Sequence, residues 1–148
     1  AELSKLNQNK FTTPIYAGKA VPPGWRQSRN VKTTSQSLYR RISEHSRSIE
    51  AAENLNIDDF YCKFMILTDI ESNMISTVEA ALIRKFQPLW NSVIDGFGNH
   101  DPGKNRYDQI LAGWDTLHPG RSWQKKWRGP KPKISELEKL VLKTLENL

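Results

Sequence analysis

A glutamate inside an apolar helical stripe is the residue of this chain with the clearest chemical potential. Around residues 72–86 the apolar positions recur at helical spacing, and Glu79 falls within the same arc. The stripe consists of Ile75, Val78, Leu82, Ile83 and Phe86. An ionised carboxylate on a buried face is costly unless it is paired or holds a metal ion. Glu79 is therefore a candidate site residue, and the alternative is a rim glutamate paired with a lysine or arginine.

A second helix, predicted over about residues 37–54, carries two basic side chains at its apolar face. His45 falls within the stripe formed by Leu38, Ile42, Ile49 and Ala52, and Arg41 lies four residues before it. A lone histidine there is usually a satisfied core residue, whereas an adjacent arginine favours a site for an anion. Glutamate, arginine and histidine together suit phosphate chemistry. A carboxylate can hold a divalent ion, a guanidinium can neutralise phosphoryl charge, and an imidazole can relay a proton.

Size and charge narrow the class of protein. The 148 residues suffice for one domain with a core, and the net charge of +6 favours a polyanionic partner, most often nucleic acid. A merely basic soluble protein is the alternative. The single cysteine, Cys62, excludes a disulfide framework and a cysteine zinc site. With no stretch of about 20 apolar residues and no secretory segment, we expect an intracellular protein without a membrane span.

The remaining elements follow from local patterns. Residues 13–18 read as a short strand that begins near a proline, and residues 60–67, rich in aromatic and aliphatic side chains, as the best strand of the chain. Pro88 is expected to stop the helix that carries Glu79. The last helix is predicted over residues 134–148, with Ser135 as N-cap and Glu138 completing a capping box.

The stretch from residue 96 to residue 132 is rich in glycine, aromatic and basic residues. Aromatic side chains interleaved with arginine and lysine fit contacts to bases or sugars and pairing with phosphates. The alternative is a packed irregular subdomain whose tryptophans belong to the core. Composition alone leaves both interpretations open.

Three motifs, in order along the chain, resemble those of the GIY-YIG nuclease superfamily. Residues 16–20, Tyr-Ala-Gly-Lys-Ala, resemble the second half of its signature, with Ala17 where isoleucine is usual. Residues 38–45 resemble its first helix with a phosphate-facing arginine. Residues 79–91 resemble its metal-binding glutamate helix and closing asparagine. The later segments 96–103 and 114–121 resemble the type II restriction endonucleases of this superfamily, and within them enzymes that cut CCGCGG.

The resemblance implies an α+β fold, with a small central antiparallel sheet of three strands flanked by helices. A single domain over residues 1–148 would comprise a core at about 13–95, a loop-rich DNA-recognition region at about 96–132 and a C-terminal helix at 134–148. The superfamily begins with a strand carrying Gly-Ile-Tyr, which nothing before Tyr16 supplies. We therefore expect that strand, and its tyrosine, upstream of Ala1 and paired antiparallel with residues 13–18.

The resemblance also implies an activity, the metal-dependent hydrolysis of phosphodiester bonds in double-stranded DNA at a short palindromic site. Glu79 would hold one divalent cation, Mg²⁺ or another such as Mn²⁺. Arg41 would neutralise phosphoryl charge, and Tyr16 would orient or activate the attacking water. His45 would position or relay a proton to the tyrosine, and Asn91 would hold the site through hydrogen bonds.

Partners and rival functions follow from the same resemblance. A palindromic target predicts a homodimer, and a restriction enzyme predicts the bacterial cytoplasm. The rivals are a DNA-binding module that does not cleave and a repair or homing nuclease of the same fold. The expected DNA contacts are Lys19, Arg26, Asn99, His100, Lys104, Arg121, Lys125 and Lys126.

Overall fold

Helices and extended loops form the architecture that positions these side chains. A computed structural model describes residues 13–22, 25 and 36–146 of the chain. In that part the α-helices are α1 (Ser37–Ala51), α2 (Ile75–Phe86), α3 (Leu89–Ser92), α4 (Gly113–Leu117) and α5 (Ile134–Leu145). Short 3-10 helical segments occur at Ile57–Asp59, Asp69–Met74, Lys104–Arg106 and Ser122–Lys126.

The predicted α+β fold with a central sheet is wrong, because no β-strand occurs among the described residues. Residues 13–18 are irregular, and two of them direct their backbone groups elsewhere. Trp90 N donates to Ile15 O at 2.9 Å, and the Asn91 amide exchanges two hydrogen bonds with the backbone of Ala17. These backbone groups of Ile15 and Ala17 are thus bonded to a helix backbone and a side chain, and not to a strand.

Residues 60–67 also form no strand, although their composition is strongly strand-like. Tyr61, Phe64, Met65 and Ile66 are each 65 to 72% exposed, and of the segment only Phe60 packs beside the buried core. Strand propensity records how well a side chain fits a pleated, half-buried surface, so it has no effect where neither a packing surface nor a sheet is supplied.

The helical predictions are confirmed in position and corrected at their ends. α1 ends at Ala51, three residues before the expected end, and α2 begins at Ile75 after a 3-10 segment. Gln87 adopts a left-handed conformation (φ 44°) between α2 and Pro88, which agrees with the predicted stop. The capping box is wrong, because α5 begins at Ile134 with Lys133 as its N-cap. None of the helices in the described part is long and apolar enough to cross a membrane.

The buried core joins the two halves of the described chain. Ile49 and Ala52, from the end of α1, pack in one cluster with Trp90, Ile94, Phe97 and Trp114. Trp114 is fully buried on α4, and Trp90 is 5% exposed on α3. Trp114 therefore belongs to the core, as the alternative interpretation of the loop-rich region predicted, and Trp90 packs in the same cluster. Residues 96–98 are consequently packed directly against the helix that carries Arg41 and His45.

Candidate active site

Tyr16 lies at the centre of the candidate site. Its hydroxyl oxygen accepts a hydrogen bond from Arg41 Nη2 at 3.4 Å. Its ring meets the His45 ring edge-on, with centroids 5.0 Å apart, and meets the Phe97 ring in the same way at 4.9 Å. The two helix residues expected from the sequence and the tyrosine from the extended segment are thus brought together.

Two glycines give the Tyr16 side chain its space. A Cβ atom at Gly18 would lie 2.7 Å from the Tyr16 hydroxyl oxygen, and one at Gly98 would lie 2.7 Å from the same oxygen. The Gly98 Cβ would also lie 2.8 Å from Arg41 Nη2. Contacts this short are essentially never seen, so a side chain at either position would displace the phenol. Gly98 is a site residue that the sequence reasoning did not single out.

Arg41, on α1, connects the tyrosine to the loop that follows α3. Its Nη2 group donates to Gly98 O at 3.1 Å, and its Nη1 group donates to His100 Nε2 at 3.2 Å and to Glu44 Oε2 at 3.4 Å. An arginine nitrogen can only donate, so His100 Nε2 is the acceptor in that contact. The Arg41 side chain keeps 22% of its surface exposed, so an anion from solvent can reach it.

His45 is arranged to remain neutral. Its ring stacks on Phe97, with centroids 4.7 Å apart and planes 17° from parallel. Burial, followed by the nearby charges of Arg41, Arg121 and His100, lowers the pKa of His45 from 6.5 to about 4. At neutral pH the imidazole therefore carries one free lone pair, which can accept a proton.

Asn91 supports the site from α3. Its Oδ1 atom accepts from Ala17 N, and its Nδ2 group donates to Ala17 O, both at 2.8 Å. This two-point contact fixes the backbone of the residue that follows Tyr16. Asn91 thus binds the backbone of the site segment, and its expected role in the active site stays a prediction.

Glu79 joins the same segment through Lys19. The Lys19 ammonium lies 2.8 Å from Glu79 Oε2 and donates to Ser76 Oγ at 3.1 Å. The Glu79 side chain is 21% exposed and sits at the rim of α2. In the structure Glu79 is therefore a rim glutamate paired with a lysine, and its role as a metal ligand stays a prediction.

Comparison with known families decides the class of this site. The sequence model described as the Eco29kI GIY-YIG domain, a type II restriction endonuclease family, matches residues 1–145. The chain belongs to this family. Comparison with curated proteins gives no match. Membership makes the chain a restriction-type GIY-YIG nuclease that acts on DNA, and it confirms the resemblance carried by the three motifs.

An open cavity adjoins the central residues of this GIY-YIG domain. It has a volume of about 380 Å³ and lies between α1 and the loops at residues 97–101 and 120–123. Arg41 and His45 line one side of it, and His100 and Trp123 lie on the other. The cavity gives a phosphate or a nucleotide access to the side chains that surround Tyr16.

The predicted DNA contacts of the domain differ in their exposure and partners. The exposed group consists of Asn99, His100, Lys104, Lys125 and Lys126. Lys19 is paired with Glu79, and Arg26 lies outside the described residues. Arg121 is 2% exposed, so the structure places it in the interior rather than on a DNA-binding surface. The Gly-Phe-Gly run at residues 96–98 was the signal that could have revealed a close backbone approach at this site.

Proposed function

We propose that this GIY-YIG domain is a type II restriction endonuclease that hydrolyses double-stranded DNA at a short palindromic site with the aid of a divalent cation. The observation that carries the proposal is the contact of Tyr16 with both Arg41 and His45 beside an open cavity, with Lys19 linking Glu79 to the same segment. Family membership supports DNA as the substrate, and the geometry supports these residues as candidates for phosphoryl chemistry.

Glu79 would hold the cation, Mg²⁺ or Mn²⁺. Its carboxylate is partly exposed and interacts with a single lysine ammonium, so it can exchange that partner. No cluster of three or more aspartate, glutamate, histidine or cysteine side chains occurs within residues 13–22, 25 and 36–146. This fits Mg²⁺, which commonly binds one or two carboxylates and completes its shell with water and substrate phosphate. When bound, the cation would polarise the scissile phosphate and stabilise the leaving oxygen.

The chain's own side chains would perform the remaining work. Arg41 would donate to the phosphoryl oxygens. Its side chain is partly exposed, and its present hydrogen bonds of 3.1 to 3.4 Å can be exchanged for bonds to a phosphate. The Tyr16 hydroxyl would orient the attacking water. His45, neutral at pH 7, would relay the proton that the water loses as its oxygen bonds to phosphorus and the bond to the sugar oxygen breaks, and the leaving sugar oxygen would take up that proton.

Exposed polar and basic side chains would bind the rest of the duplex. Lys104 lies at a second cavity beside the first, and Asn99 and His100 line both. Lys125 and Lys126 lie on the exposed 3-10 segment that follows Arg121. Together with the net charge of +6, these groups support a phosphate-dominated, salt-sensitive interaction.

The assembly and the target follow as parts of the same proposal. A palindrome presents two equivalent strands, and one domain carries one such site, so two copies related by a two-fold axis would cut both strands. The resemblance of residues 96–103 and 114–121 makes CCGCGG the candidate site. A restriction enzyme of this kind would work in the bacterial cytoplasm.

Cleavage of plasmid DNA by the full chain tests the proposal. With Mg²⁺ we expect discrete fragments whose ends map to one palindrome, no product in excess chelator, and a dimer on DNA by sedimentation. Nicks at damaged bases would indicate a repair nuclease, and long asymmetric sites would indicate a homing nuclease. Tight binding without any product would indicate a DNA-binding module, and each of these three results would contradict the proposal.

A further inference from the structure

The two terminal nitrogens of the Arg121 guanidinium are bound inside the protein, whereas its buried Nε group has no hydrogen-bond partner among the described residues. Its Nη1 group donates to Gly96 O at 3.0 Å and to Asp115 Oδ1 at 3.2 Å, and its Nη2 group donates to Phe97 O. Its guanidinium carbon also lies 4.0 Å from the centroid of the Trp114 ring. A planar fork of donors can satisfy these directions at once, which a single ammonium cannot do.

The loop at residues 96–98 is held between two arginines. Arg121 takes the carbonyl oxygens of Gly96 and Phe97, and Arg41 takes the next one, that of Gly98. The Phe97 ring stacks on His45, while the absent side chain of Gly98 leaves room for Tyr16. A displacement of this loop would therefore reach three side chains of the candidate site at the same time.

The anchor of Arg121 is itself fixed. Asp115, on α4, is 4% exposed and also accepts from Gln124 Nε2 at 2.8 Å, while Gln124 Oε1 accepts from Gly120 N. Burial lowers the pKa of Arg121, and the negative charge of Asp115 acts against that effect. The arginine is thus a charged, rigid connection between α4 and the loop.

We propose that Arg121 is a positioning residue, which sets the place of residues 96–98 so that Phe97 orients His45 and Gly98 O orients Arg41. This role rests on the proposed nuclease function, and it assigns Arg121 no contact with DNA. The physical basis is that reacting groups must be held within a fraction of an ångström, because a displacement of about 1 Å can lower a rate about 10²-fold.

The variant Arg121→Lys of the full chain tests the role, since it keeps the charge and removes the fork. We expect the single-turnover rate on bound DNA to fall about 10²-fold, with the DNA dissociation constant within about twofold of wild type. The NMR signals of the His45 imidazole should shift, because the ring current of Phe97 acts on them. Leu137→Ala is the matched control, because Leu137, on α5, packs beside the core near Gly113 and has no hydrogen bond to the loop at residues 96–98. It should lower the Tm and leave both the rate and the His45 signals unchanged.

A milder variant guards against misfolding. Gln124→Ala removes one partner of Asp115 at a half-buried position and should shift the His45 signals in the same direction by less. Unchanged His45 signals in both variants would overturn the proposal. A loss of affinity and of salt dependence with an unchanged rate on bound DNA would overturn it in favour of a DNA contact. If the wild type cleaves no DNA, the proposed function fails, and the His45 signals still decide the positioning role.

Discussion

Arg41 and Arg121 both bind carbonyl oxygens of the loop at residues 96–98, and they differ in the exposure and the partners of their side chains. Arg41 is 22% exposed and contacts a hydroxyl, an imidazole, a carbonyl and the partly exposed carboxylate of Glu44. Arg121 is 2% exposed, pairs with a buried carboxylate and lies over Trp114. Net charge and residue type do not distinguish them. Exposure and the kind of partner do, because a substrate can replace partners only where it can reach the side chain.

The largest expected effect lies on the buried side of the loop. Arg121→Met leaves Asp115 charged and unpaired in the interior, so we expect the free energy of unfolding to fall by about 3–5 kcal/mol. Urea unfolding measures it. A loss below about 1 kcal/mol would show that Arg121 is not structurally different from a surface arginine.

On the exposed side, Arg41→Ala should affect turnover more than folding. A preorganised donor to a developing negative charge is worth on the order of 10²–10³ in rate. Single-turnover cleavage measures this effect, with Arg40→Ala, the exposed neighbour on α1, as control. If binding falls in parallel and the rate on bound DNA is unchanged, Arg41 is a docking contact.

His45, which feels the charge of both arginines, gives the next prediction. Its pKa is lowered from 6.5 to about 4, so between these values the unfolded chain binds a proton that the folded chain does not. By this sign, stability falls as pH drops from 6.5 towards 4. At pH 5 the contribution is about 1 kcal/mol after allowance for partial exposure.

Urea unfolding of wild type and His45→Gln at pH 7 and pH 5 measures that contribution, and an NMR titration locates the midpoint directly. The pKa of His118 is lowered to about 4 by burial and by Arg121, so His118→Gln serves as a second, independent member of the series. A His45 midpoint at pH 6 or above would contradict the burial that the structure gives this side chain.

The smallest effect concerns the exposed lysines beyond Arg121. Each phosphate contact contributes about 0.9 to the slope of log affinity against log salt, so Lys125→Gln with Lys126→Gln should reduce the slope by about 2. Arg128 is not included, because Asp108 already pairs with it at 2.8 Å. The control is the double variant Lys133→Gln with Lys139→Gln at α5. Equal slopes in the two double variants would show that Lys125 and Lys126 are solvent-exposed lysines that do not contact DNA.

The sequence predicted the helices that carry the candidate site residues and little of the architecture that connects them. Helical spacing placed Arg41 and His45 at one face of a helix and Glu79 within the apolar arc of another, since that period depends on local geometry alone. The prediction of a sheet is wrong because the formation of a strand depends on partners that are distant in sequence. Residues 13–18 have Asn91 and α3 as partners instead. The prediction that Arg121 contacts DNA at the surface disagrees with its burial for a related reason. That burial depends on Asp115 and on the turns that bring both residues against Trp114.

The central claim is that the exposed side of the loop, together with Glu79, is a metal-dependent site for DNA cleavage. The most direct test is the single-turnover cleavage rate of Glu79→Gln in Mg²⁺, measured beside its DNA affinity, with the exposed carboxylate variant Glu71→Gln as control. We expect cleavage to fall by a factor of about 10³ or more with affinity retained or improved, because the change removes a cation ligand and a charge that repels phosphate. Wild-type rates in Glu79→Gln would contradict the account.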